Sequence, residues 1–225
     1  MDPKPPRLLS LVLVPALLTL VVTVLRLIGE VRGWPHWLVG TGEAGGSGAL
    51  LGISWLIFVF GLWFGIRVQR SGAGVPAPRR ALLVSVLALV VLFGGIAICY
   101  GLGLVTFPDP DHPGEPVGVH CFLGLLVLGA LVAFAAWPRI AWTMLVYAVL
   151  ARVPVLVVTW LCLQYPDWNT HYTEIAPGLL PPPADELFLN LAMPQITFWP
   201  AITILFGTPM ACLGAVLFGR ARTMN

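Results

Sequence analysis

Three groups of residues in this 225-residue chain have types and spacings that could do chemistry. The first is one arginine, Arg152, about a dozen residues from either end of a long apolar run. A guanidinium near a bilayer centre costs about 2.5–3.5 kcal/mol on insertion scales. Pro154 lies two residues on and breaks the helical hydrogen-bond ladder, which frees a carbonyl. No apolar run holds an Asp or Glu at matching depth. The countercharge must therefore come from freed carbonyls, from hydroxyls such as Ser54, Thr143 and Thr159, from Glu30 reaching down, from water, or from a bound anion. The chemistry that fits is capture of an anionic or polar ligand.

The second group is Arg26 and Glu30, four residues apart and hence on one helix face. They read as a snorkelling arginine with an interfacial partner, or as the rim of a cavity leading to Arg152. Arg152, Arg26 and Glu30 are the ligand-binding candidates.

The third group is the polar stretch Tyr165–Glu174. If it is helical, Asp167 and His171 share a face with Glu174 one turn on, an arrangement for acid–base work or metal ligation. His171, Asp167 and Glu174 are the catalytic candidates, and His171, Asp167 and His112 the metal candidates. Asp109, Asp111, His112 and Glu115 could meet a cation, but Pro108, Pro110 and Pro113 give that stretch the character of a rigid connector. No metal or cofactor is expected, only bound lipid.

Other motifs carry less. Gly45-Gly46-Ser47-Gly48 spells GxSG, but no span offers an interior histidine, and a serine without a base is inert. There is no HExxH, no P-loop and no dinucleotide fingerprint. His36, His112, His120 and His171 all lie in loops or at a span edge, which argues against a haem held between helices. Cys99, Cys121 and Cys162 lie toward the loop-rich ends of their helices and Cys212 toward the other. A Cys121–Cys162 disulfide is open in an oxidising compartment; otherwise the cysteines are small apolar packers.

These residues must be held by elements that live in lipid. The chain is 58% hydrophobic and 10% charged, where a soluble domain carries about 25% charged residues. A water-soluble fold of this size has too much surface to hide that apolar area. The net charge of +2 and the lack of a basic run exclude nucleic-acid binding. Six runs approach the roughly 20 apolar residues of a spanning helix: 8–28, 47–66, 81–105, 120–137, 140–163 and 196–218. The expected fold is all-α, one polytopic transmembrane helix-bundle domain over 1–225. The first run is too long for a signal-peptide core and lacks a cleavage site, so it reads as a retained span. Pro200 and Pro209 interrupt the sixth.

Charge sets the orientation. With the amino terminus inside, the cytoplasmic segments hold Lys4, Arg7, Arg67, Arg70, Arg79, Arg80, Arg139, Arg220 and Arg222, and the outer segments hold only Arg32. Every acidic residue except Asp2 falls outside. Both termini are thus expected in the cytoplasm of a plasma (inner) membrane protein, with acidic extracytoplasmic loops at 29–46, 106–118 and 164–195. Within the last loop, Pro181-Pro182-Pro183 precedes a short interfacial helix expected to begin at Ala184. Leu187, Phe188 and Leu191 would lie on the bilayer and Asn190 would turn away. Trp34, Trp37, Trp160, Trp168 and Trp199 form an outer anchoring belt, and Trp137 and Trp142 an inner one. Gly61 and Gly65 form a GxxxG pair suited to close helix approach.

Three functions fit. The first is a transporter or channel for a small polar or anionic solute that passes Arg152. The second is an accessory or assembly subunit, in a homo-oligomer or with partner membrane subunits. The third is a membrane-embedded enzyme acting on a lipid at the outer leaflet, with Arg152 as a phosphate clamp. Catalysis ranks last because no nucleophile–base motif is present.

Overall fold

A computed structural model describes residues 6–40 and 49–219. Lys4, Arg220, Arg222 and the Gly45–Gly48 motif lie outside them. The described chain is built from helices: α1 (Leu8–Val31), α2 (His36–Val39), α3 (Leu56–Val68), α4 (Pro78–Gly101), α5 (Val119–Ala136), α6 (Pro138–Gln164), α7 (Leu187–Ile196) and α8 (Phe198–Phe218). Among the described residues, five helical stretches are long and apolar enough to cross a membrane: α1, α4, α5, α6 and the combined stretch Leu187–Phe218. The chain is a multi-pass membrane protein.

The run expected to span at 47–66 behaves differently. Its helix, α3, starts only at Leu56 and has 13 residues, about 20 Å at 1.5 Å per residue, short of the roughly 30 Å hydrocarbon core. A π-helical turn, Gln69–Ala73, continues it. The preceding residues form turns, and Leu50 N and Leu51 N donate to the carbonyls of Trp37 and Leu38. Gly52 and Ser54 fall in this segment; glycine and serine weaken a helix against competing backbone bonds. Non-helical backbone at membrane depth is tolerated only inside protein or beside a water-filled cavity.

α8 lies at the centre and packs against α3, α4, α5 and α6. Small residues permit its approach to α3. A Cβ on Gly61 would sit 2.7 Å from the Gly207 carbonyl oxygen, and one on Gly65 only 1.9 Å from that of Ala211. Phe64, Leu92, Leu126, Met144 and Leu205 fill the surrounding core. Leu13, Val90, Leu131 and Val157 point outward, as lipid contact requires. Pro209 is inside α8 as expected, but Pro200 falls in its first turn, where the missing N–H has no intrahelical partner to lose.

The two ends of the bundle differ. At one, Arg139 Nη2 donates to the Pro6 carbonyl at 2.7 Å and Arg70 Nε to that of Phe218 at 3.2 Å. At the other, the long loops close on one another. Thr106 and Val117 exchange both backbone bonds, and Gly114 N donates to the Gly178 carbonyl at 2.9 Å. The 102–118 hairpin is thereby tied to the 165–186 loop.

α7 forms in the loop expected to hold it, but begins at Leu187, with residues 184–186 in turns. Its faces also differ from the expectation. Leu187, Asn190, Leu191, Pro194 and Gln195 share one stripe, and that stripe lines a cavity. Asn190 cannot turn away from Leu187 and Leu191, because residues three and four apart lie on one face. Leu189, Met193 and Ile196 are the exposed apolar side.

Candidate functional site

The long-loop end contains a cavity of about 850 Å3. Its deep wall is Arg152, Val155 and Thr159 of α6. Arg26 of α1, the unwound Ile53–Ser54 and the α7 stripe close the sides, while Gly114–Pro116 and residues 171–183 of the loops form the roof. The unwound segment therefore lies where membrane-depth loops are allowed.

Arg152 is only 6% exposed. Its Nη1 donates to Gln195 Oε1 at 3.1 Å, and its Cζ stands 4.2 Å above the centre of the Trp199 ring. Its Nε is buried with no hydrogen-bond partner, and it forms no ion pair among the described residues. Of the hydroxyls expected to satisfy it, Ser54 and Thr159 line the same cavity. Thr143 does not serve this role: it donates to the Arg139 carbonyl at 2.8 Å, at the far end of α6. Glu30 does not reach down either. Arg152 thus holds a positive charge in a cavity wall with an amide oxygen, an aromatic face and an unused N–H.

Glu30 is committed elsewhere. Its carboxylate is fully buried and takes Arg26 Nε at 2.9 Å, His171 N at 3.0 Å and His171 Nδ1 at 2.5 Å. Arg26 Nε also donates to the Val39 carbonyl at 2.8 Å, and its Nη2 has no partner. Gly40 makes this possible. It has φ +66°, and a Cβ there would sit 3.1 Å from Arg26 Nη2. Arg26 and His171 line the cavity and Glu30 sits behind them. Nδ1 is the ring nitrogen bonded to the Glu30 carboxylate, which leaves Nε2 as the ring nitrogen not engaged by Glu30. Burial pushes the His171 pKa below its usual 6.5, reinforced by Arg26 and opposed by the bond to Glu30. A neutral imidazole oriented by a carboxylate is a proton acceptor. Burial pushes the neighbouring Tyr172 phenol up, so it stays protonated.

No family model matches the chain, and no curated protein or solved structure is similar to it.

Of the other candidates from the sequence, Glu174 joins His171 in the cavity lining, and Asp167 and His112 do not. The 165–174 stretch is turns rather than helix, so Asp167 does not share a face with His171; it is exposed. Glu174 lines the cavity. His112 pairs through Nδ1 with Asp109 Oδ1 at 3.2 Å on an exposed turn, where the same oxygen accepts the backbone N–H groups of Asp111 and His112. Among the described residues no three His, Cys, Asp or Glu side chains gather as a metal site. Gln195 and Trp199 are the site residues that sequence reasoning missed. Trp199 looks like an interfacial anchor, yet it faces the arginine. The signal for Gln195 was the i, i+3, i+4, i+7, i+8 stripe from Leu187 to Gln195, polar at Asn190 and Gln195.

Proposed function

We propose that this protein binds, and carries across the membrane, a small polar solute with an anionic group, held at Arg152 in a cavity open to the extracytoplasmic side. In this reading α3 and its π-turn complete a sixth crossing, both termini lie in the cytoplasm, and the long acidic loops lie outside. The positive-inside distribution supports that orientation. One observation carries the ligand site: a buried guanidinium in a cavity wall, with no carboxylate partner among the described residues and Nε unpaired among them.

The cavity also contains Glu115, Glu174 and Glu186. Glu115 and Glu186 are exposed, and solvent screens exposed charges far better than buried ones. Deep in the cavity the arginine dominates. A solute that also bears a cationic group has a place for it at the acidic mouth. A ligand that binds only the folded state raises its stability by about 2.7 kcal/mol at one hundred times Kd. The test is thermal unfolding of the purified protein at fixed ionic strength with acetate, succinate, sulfate, glycine betaine and alanine. At least one should raise the midpoint of the wild type and leave Arg152→Gln unmoved. If all five act alike on both proteins, the proposal fails.

A second reading rests on the Glu30–His171 pair, which suits a general base that takes a proton from water as that water attacks an outer-leaflet lipid. It expects His171→Gln to abolish lipid turnover in proteoliposomes. Turnover that survives this substitution removes the reading.

A further inference from the structure

We propose that Cys99 and Cys121 close into a disulfide that staples α4 to α5 at the base of the hairpin roofing the cavity. Their Sγ atoms stand 3.9 Å apart. Cys121 is exposed and Cys99 half-buried. Cys99 lies two residues before the end of α4 and Cys121 two residues after the start of α5. Packing on both sides fixes their approach. A Cβ on Gly95 would sit 2.6 Å from Leu125 Cδ2, and Phe107 meets Phe122 edge-on with ring centres 5.5 Å apart. Side-chain rotation must close the remaining gap to a bond of about 2.05 Å.

The pairing differs from the Cys121–Cys162 bridge the sequence left open. Cys162 is buried beside Val155, Val158 and Tyr172, and Cys212 sits in the main core. The Cys99–Cys121 bond would brace a specific device. The loop between them is closed by the Thr106–Val117 bridge, and its Gly114–Pro116 segment bonds to Gly178 and lines the cavity.

The step needs an oxidant of the thiol–disulfide oxidoreductase class. The exposed Cys121 thiolate attacks the oxidoreductase disulfide, forming a mixed disulfide and releasing one oxidoreductase thiolate. The Cys99 thiolate then attacks Cys121 Sγ and expels the second. The two substrate thiols lose two protons and two electrons, and the oxidoreductase is reduced to its dithiol. Such oxidants act outside the cytoplasm, so this inference rests on the orientation proposed above, though not on the ligand.

The test is a thiol count on the full-length protein. Cells are quenched in acid, the protein is denatured, and free thiols are tagged with a polyethylene-glycol maleimide before and after reduction. The wild type should take two tags before reduction and four after. Cys99→Ser and Cys121→Ser should each take three in both states. Four tags on the unreduced wild type, or a reducible dimer, overturns the staple. An impermeant maleimide applied to intact cells carrying Cys99→Ser separates the causes. Labelling of Cys121 with four free thiols in the wild type refutes the staple alone, and absence of labelling refutes the orientation as well.

Discussion

His171 Nδ1 lies 2.5 Å from Glu30 Oε1, and the backbone N–H of the same histidine donates to Oε2 at 3.0 Å. One carboxylate at the end of α1 therefore fixes both the ring and the main chain of a residue 141 positions on, and Arg26 balances its charge. This clamp seats the 165–186 loop on the bundle and so shapes the cavity.

Removing the clamp should be expensive. Glu30→Gln keeps one acceptor oxygen but turns the other into an NH2 facing a donor and removes the charge that balances buried Arg26, and breaking a buried ion pair from one side costs about 3–5 kcal/mol. The exposed Asp167→Asn should change stability by no more than about 0.5 kcal/mol. Thermal midpoints of the two variants in one detergent check the contrast.

Stability should depend on pH through His171. Burial places its folded pKa below the unfolded value of 6.5. Between the two values the unfolded chain binds more protons, so stability falls as pH drops from about 6.5 through the lowered pKa and then levels off. Scans from pH 7.5 to 5 should show this fall in the wild type and a shallower one in His171→Gln. Equal slopes count against the assignment.

Arg152 should behave as a residue kept for function. Arg152→Met keeps the length and apolar contacts of the side chain and removes a buried charge with no ion-pair partner among the described residues. Replacing buried charge by packed apolar groups is often neutral or stabilising. Without ligand the variant should lie within about 1 kcal/mol of the wild type or above it, yet show no solute-dependent stabilisation and no flux in proteoliposomes. A loss of several kcal/mol would mark the arginine as structural.

The α3–α8 contact should tolerate no side chain. Gly65→Val drives Cβ into the Ala211 carbonyl, whereas nothing lies within 4 Å of a Cβ on Gly94. Gly65→Val should lose folded yield on size-exclusion chromatography, and Gly94→Val should keep it.

Most of the fold was legible because lipid imposes length. α1, α4, α5 and α6 follow from apolar runs bounded by polar residues. The 47–66 run winds into a helix only from Leu56, because hydropathy does not register that Leu50 and Leu51 bond to the Trp37–Leu38 backbone instead of winding. In the site, Arg152 was legible through the cost of burying it. Its partners were not. Gln195 stands 43 residues away on a helix whose cavity face depends on how α7 docks. The Glu30–His171 contact needs a loop to fold back over α1, which no local spacing encodes.

If Arg152 holds a ligand, a density map of the protein in lipid nanodiscs will show non-protein density within hydrogen-bond distance of Arg152 Nε, inside an open cavity. A collapsed, dry cavity with Nε donating to a main-chain carbonyl would contradict it.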